Sequence, residues 1–170
     1  TNGLGVVAEL VVHDRDTEFY GVEFCSQYFW QCAVNGVETC VLAPKVGRSM
    51  LKFGTRIGPK LSAKHRRGAL RADCLSRLPH SEVVPVLRKE LEAGIKHREY
   101  YDEGKFSWQT LDTYNRLDWH KLPGVVTPTF NTGAQCRHIY GVEAETLEKM
   151  YKTDRDQLIQ FALAREGDNR

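Results

Sequence analysis

Apolar and polar positions divide this chain into a β-rich first quarter and a mostly helical remainder. Residues 19–34 form a long strand candidate, bounded by the polar turn "HDRDTE" (13–18) before it and Asn35-Gly36 after it. Val34-Asn35-Gly36-Val37 is a type I′ hairpin signal, because both central residues accept positive φ and the turn's twist matches that of the strands. With Asn35-Gly36 as the two-residue loop, Val34 faces Val37, Cys32 faces Thr39, Trp30 faces Val41 and Tyr28 faces Ala43. These pairs share one mostly apolar face, which fixes the register. Gln31 opposite Cys40 and Phe29 opposite Leu42 occupy the other face.

After the hairpin the period becomes helical. Ser62 is placed to cap a helix that ends at Pro79. Leu70, Cys74, Leu75 and Leu78 fall on one stripe of it, and Lys64, Arg67 and Arg71 on another. Ser81 is placed to cap a second helix with Val83, Val84, Leu87, Leu91 and Ile95 on its apolar face and Pro85 in its first turn. Residues 100–138 read as loop-rich, with Trp108 and Trp119 as packing anchors. Residues 143–152 and 155–165 read as two closing helices. Residues 4–12, "LGVVAELVV", fit a buried strand or a short helix equally well. The predicted class is α+β, a β-hairpin followed by a mostly helical domain.

Composition changes this picture little: 41% hydrophobic and 27% charged residues describe an ordinary globular chain with enough length for one core. No run of 18 apolar residues predicts a transmembrane segment. The N-terminus has neither an initiator Met nor a basic leader, and reads as a cut inside a longer chain. Five cysteines without CxxC spacing argue for reduced thiols over a disulfide framework or a zinc ribbon.

Charge changes it more. The formal net charge is +2, yet residues 1–44 carry net −5 while residues 45–77 carry net +9. The basic side chains of the second segment are Lys45, Arg48, Lys52, Arg56, Lys60, Lys64, Arg66, Arg67, Arg71 and Arg77. Such a block is the footprint of a polyanionic partner, since like charges this dense repel one another until something neutralises them.

Enzyme signatures are sparse. The chain has no nucleophile elbow, P-loop, HExxH or CxxC pair. Asp14 and Asp16 fit a surface turn better than a metal site. Gly167-Asp168-Asn169 reads as a frayed tail. The six histidines are spaced without a common site.

The hairpin and the basic block carry a resemblance. "VEFCSQYFW", a turn, then "ETCVLAPKVGRSMLKFG" and helices resemble the end of a viral RNA-dependent RNA polymerase of nodavirus-like or flavivirus-like positive-strand RNA viruses. In that family a hairpin opening with Phe-Cys-Ser is motif E, the primer grip between palm and thumb. Pro44, Lys45, Gly47, Arg48, Lys52 and Gly54, with Met50-Leu51 at the apolar position, are similar to the strand-to-thumb passage. "LGVVAELVV" sits where motif D would end, and "CRHIYGVEAETLEKM" is similar to a Tyr-Gly helix start in several thumbs.

The resemblance implies an end of palm over 1–44 and a helical thumb over 45–170. It implies RNA or primer contacts from Phe24, Cys25, Ser26, Lys45, Arg48, Lys52, Lys64, Arg67 and Arg71. RNA template and product strand, nucleoside triphosphates, the rest of the polymerase and Mg²⁺ or Mn²⁺ in the complete enzyme are the implied partners and cofactors. The implied location is a replication complex in the host cytoplasm. The family's catalytic aspartates belong to motifs upstream of motif E, and nothing in this sequence supplies them, so the expectation is an RNA-holding piece without catalysis of its own. Other readings open at this point are the same region of a reverse transcriptase, a free-standing RNA-binding module and a structural viral protein that packs RNA.

Physical chemistry supports the same picture. A polymerase must hold a growing 3′ end within about 3–3.5 Å of the reacting phosphate. A stiff two-stranded ribbon does this better than a loop. Lysines and arginines that follow it can track the backbone without reading sequence.

Overall fold

The structure, a computed structural model, describes residues 19–55, 62–77, 81–95 and 125–167. Its class is α+β: a small antiparallel sheet leads into helices that pack against it. Strand β1 is Glu23–Phe24, β2 is Gln27–Val34 and β3 is Val37–Pro44. Helices α1 (Val46–Lys52), α2 (Ala63–Arg77) and α3 (Leu87–Ile95) follow. A two-residue strand, β4 (Val126–Thr127), precedes α4 (Phe130–Tyr140), α5 (Ala144–Thr153) and α6 (Arg155–Arg165).

The β2–β3 register is the one the Asn-Gly turn dictates. Val34 pairs with Val37, Cys32 with Thr39, Trp30 with Val41, Tyr28 with Ala43, Gln31 with Cys40 and Phe29 with Leu42. Asn35 and Gly36 have φ of 52° and 80°, as a type I′ turn requires. A Cβ on Gly36 would meet no atom within 4 Å, so a substitution there tests backbone strain alone. Gly36→Val is expected to lower stability by about 1–2 kcal/mol, since a β-branched residue resists positive φ. The midpoint of urea unfolding measures it, and an unchanged midpoint would refute the strain argument.

The strand candidate over 19–34 is shorter than expected. It breaks at Cys25-Ser26, and residues 23–24 fold back on β2 as a second hairpin, with Glu23 opposite Tyr28 and Phe24 opposite Gln27. The central strand β2 thus has β3 along one edge. Its other edge is shared by β1 at one end and β4 at the other, where Ala33 and Val34 pair with Thr127 and Val126.

Between those two short partners the middle of β2 is covered by α4. Gln135, wholly buried, accepts from the Gln31 N–H at 2.8 Å and donates to the carbonyl of Phe29 at 3.0 Å. Thr132 donates to the carbonyl of Gln31 at 2.5 Å. Side chains thus satisfy backbone groups that an open sheet edge would leave unpaired. The loop-rich reading of 100–138 is corrected here for 130–138. Asn131, Thr132 and Gly133 are poor helix formers, and the helix draws its stability from this docking, as short helices usually do. Trp108 and Trp119 lie outside the described residues, as do residues 4–12.

The two closing helices form where their spacing predicts. Asp154 caps α6 by accepting from the Gln157 N–H at 3.0 Å. The second helix begins later than its pattern predicts. Residues 81–86 form turns, Ser81 is buried, and Val86 has φ of 71°. Pro85 has no N–H to give, and Val86 in the left-handed region breaks the helical path, so α3 starts at Leu87. Val83, Val84, Leu87 and Leu91 still reach the core. Trp30, Tyr140, Leu147 and Leu158 are also fully buried there, joining sheet and closing helices.

Candidate nucleic-acid interface

The Cys25-Ser26 turn is the most unusual backbone in the sheet. Cys25 and Ser26 have φ of 51° and 63°. Two successive left-handed residues make the primed twist that a two-residue hairpin needs, but neither is glycine or asparagine. Each stands in a region that costs a residue with a Cβ about 1–2 kcal/mol. The turn lies at the end of β2 remote from Asn35-Gly36, because Gln27 pairs with Pro44. Phe24 is 59% exposed, Cys25 is exposed and Ser26 half-buried. These three residues stand together as a projecting corner rather than as part of the long strand.

The basic residues divide. Lys45 is 2% exposed. Its ammonium pairs with a Glu23 carboxylate oxygen at 2.5 Å, donates to the Glu166 carbonyl at 3.4 Å, and lies 5.1 Å from the centre of the Tyr28 ring. The expectation of an RNA contact from Lys45 is therefore corrected: its charge is used inside the fold, because a buried cation must find a partner. Arg48 is half-buried on the first turn of α1. Lys52, in the last turn of α1, is exposed, and so are Arg66 and Arg67 on α2. The side chains of Lys64 and Arg71 lie outside the described residues, although their backbone is in α2. Arg77 is held at the other end of α2: it donates to Ser49 Oγ at 2.9 Å, pairs with Asp73 at 3.1 Å and stacks on Phe53.

Sequence reasoning missed the polar cluster behind this surface. Helix α1 has no acidic residue in its first turn and no side-chain cap from Lys45. Its amides are instead taken by Glu166 and Tyr140. Glu166 Oε1 accepts from the Gly47 N–H at 2.8 Å, and Oε2 from the Arg48 N–H at 3.1 Å. Tyr140 donates to Glu166 Oε1 at 2.7 Å and accepts from the Val46 N–H at 3.2 Å. A carboxylate at a helix N-terminus is favoured by the helix dipole as well as by the bonds. Burial nevertheless pushes the Glu166 carboxyl above its ordinary value, against the lowering by these donors and by Lys45. Burial, then the Glu166 charge, pushes the Tyr140 hydroxyl well above its own.

The same cluster explains the Pro-Lys-x-Gly-Arg passage in structural terms. Lys45 anchors β1, Gly47 lets α1 approach α6, and the amides of Gly47 and Arg48 receive the Glu166 cap. Within "CRHIYGVEAETLEKM", Tyr140-Gly141 ends α4, with Gly141 left-handed at φ 72° as a C-terminal cap, and α5 starts three residues later at Ala144.

Among the described residues no group of three or more His, Cys, Asp or Glu is placed to hold a metal ion. Asp14 and Asp16 lie outside them, as do residues 168–170. All five cysteines are free; Cys32, Cys74 and Cys136 are buried, and burial pushes the thiols of Cys74 and Cys136 up to about 12. Among the described residues no helix is long and apolar enough to cross a membrane. No protein-family model, curated protein or solved structure matches the chain.

Proposed function

We propose that this chain is the C-terminal palm and thumb portion, motifs D/E and thumb, of an RNA-directed RNA polymerase, gripping primer or product RNA during viral RNA replication. The observation that supports this reading most is the projecting Phe24-Cys25-Ser26 corner. Two strained residues held on a rigid sheet are a cost to the fold that a close approach to an RNA strand accounts for. Small side chains at Cys25 and Ser26 leave room for a sugar and phosphate. The exposed cations Lys52, Arg66 and Arg67 supply sequence-independent attraction for the backbone. In this reading the nucleotide chemistry, with its Mg²⁺ or Mn²⁺, belongs to carboxylates that the 170-residue chain does not supply.

The test is RNA binding by the purified chain, with a fluorescently labelled primer–template hairpin titrated from about 50 to about 200 mM salt. The expected log–log slope is roughly −3 to −5, at about −0.7 to −0.9 per phosphate contacted. Changing Lys52, Arg66 and Arg67 together to alanine should weaken binding evenly across RNA sequences and reduce the slope by about 2–3. Lys45→Ala should cost stability but leave the slope unchanged. Salt-insensitive or strongly sequence-selective binding would count against the proposal.

A further inference from the structure

We infer that Glu166, at the C-terminal end of α6, is a positioning residue for the Cys25-Ser26 turn, acting through Lys45 and Glu23; its consequence for RNA rests on the polymerase reading above. The path is short and every step is a bond. The Glu166 carboxylate fixes the first turn of α1 through the amides of Gly47 and Arg48. That places Lys45, the residue just before α1, within reach of the Glu166 carbonyl. The Lys45 ammonium then holds Glu23, two residues before Cys25.

Strand β1 needs such an anchor. It has two residues and two paired positions, and its turn is strained at both centres. A ladder that short does not hold a hairpin on its own in water. Glu23 is itself 51% exposed, so it gains little by burial. What draws it inward is Lys45, whose buried ammonium is costly without a carboxylate. Lys45 in turn is placed from α6, more than a hundred residues along the chain. The end of the helical domain therefore sets the position of the corner at the sheet.

The chain's own thiols report on this coupling. Cys25 and Cys40 are its two exposed cysteines. In a Cys40→Ser background, maleimide labelling reads the turn; in a Cys25→Ser background it reads β3. Glu166→Gln places an amide donor against one of the three donors that the carboxylate accepts from. It is expected to raise the Cys25 labelling rate about tenfold through local opening and to leave the Cys40 rate within about twofold. Lys45→Met keeps an unbranched stem over Tyr28 and should give the same rise. The double variant should exceed neither single one. Tyr140→Phe, which removes one donor to Glu166 and the acceptor of the Val46 N–H but leaves the carboxylate on the Gly47 and Arg48 amides, is the second variant if Glu166→Gln does not fold, and should raise the Cys25 rate alone by a smaller factor.

No change at Cys25, or equal acceleration at both thiols, would overturn the inference, since the second outcome is what general loosening produces. An RNA primer–template hairpin added to the otherwise unchanged chain should slow Cys25 labelling. If RNA gives no protection while Glu166→Gln still exposes Cys25, the polymerase reading fails and the positioning role of Glu166 stands.

Discussion

Glu166→Ala is expected to lower the unfolding free energy by about 3 kcal/mol. It leaves the Gly47 and Arg48 amides and the Tyr140 hydroxyl without their acceptor, at about 1–3 kcal/mol for each buried donor. Release of the carboxylate's own desolvation offsets part of that sum. The loss should depend on pH, with a definite sign. Burial holds the Glu166 carboxyl above its ordinary value of 4.5. The folded state therefore binds this proton more tightly than the unfolded chain does. The contribution of Glu166 to stability is full below the unfolded value and declines as pH rises through the folded one. The cost of Glu166→Ala should thus be larger near pH 4 than near pH 8, a trend that urea unfolding at both values measures. A cost that grows with pH would show that the three donors outweigh burial.

Gly47→Ala is the second large effect, about 2 kcal/mol of destabilisation. Propensity alone argues the other way, because alanine in place of a helical glycine gains about 1 kcal/mol. The tertiary contact decides against it. A Cβ on Gly47 would lie 2.7 Å from the backbone nitrogen of Leu163 and 3.0 Å from the carbonyl carbon of Ala162. Backbone atoms inside α6 cannot swing aside, so α1 and α6 must separate, and overpacking of this kind costs about 1–3 kcal/mol or more. Separation would also draw Glu166 off the α1 amides. The Gly47→Ala and Glu166→Ala effects should therefore sum to more than the double variant loses. A Gly47→Ala variant as stable as the starting chain would show that the two helices can part without loss.

Local signals with a stereochemical cause were legible in the sequence. Asn35-Gly36 permits one tight turn, and the period-2 pairing then sets every partner from Val34–Val37 to Tyr28–Ala43. The helices over 144–153 and 155–165 follow from spacing, and the Asp154 cap of the second emerges only in the structure. The projecting corner was legible as Phe-Cys-Ser but not as a turn. Cys-Ser has no intrinsic preference for the left-handed region, so no local rule separates it from a continuing strand.

Charge along the chain supplied a count and not a placement. Ten basic residues between 45 and 77 weigh equally in that count, yet Lys45 is buried and Arg77 is bonded to Ser49, while Lys52 and Arg66 are exposed. What separates them is the surface each meets after folding. Lys45 follows β3 directly and is covered by Tyr28, Glu23 and the end of α6.

By itself, then, the sequence determined the α+β class, the hairpin register and the position of a basic segment, because each depends on neighbours within a turn or a pair of strands. Only the tertiary structure decided that Gln135 and Thr132 of α4 close the edge of β2, and that Glu166 caps a helix beginning 120 residues earlier. In both cases a buried backbone group must find an acceptor or donor, and which side chain answers depends on packing that no local pattern encodes.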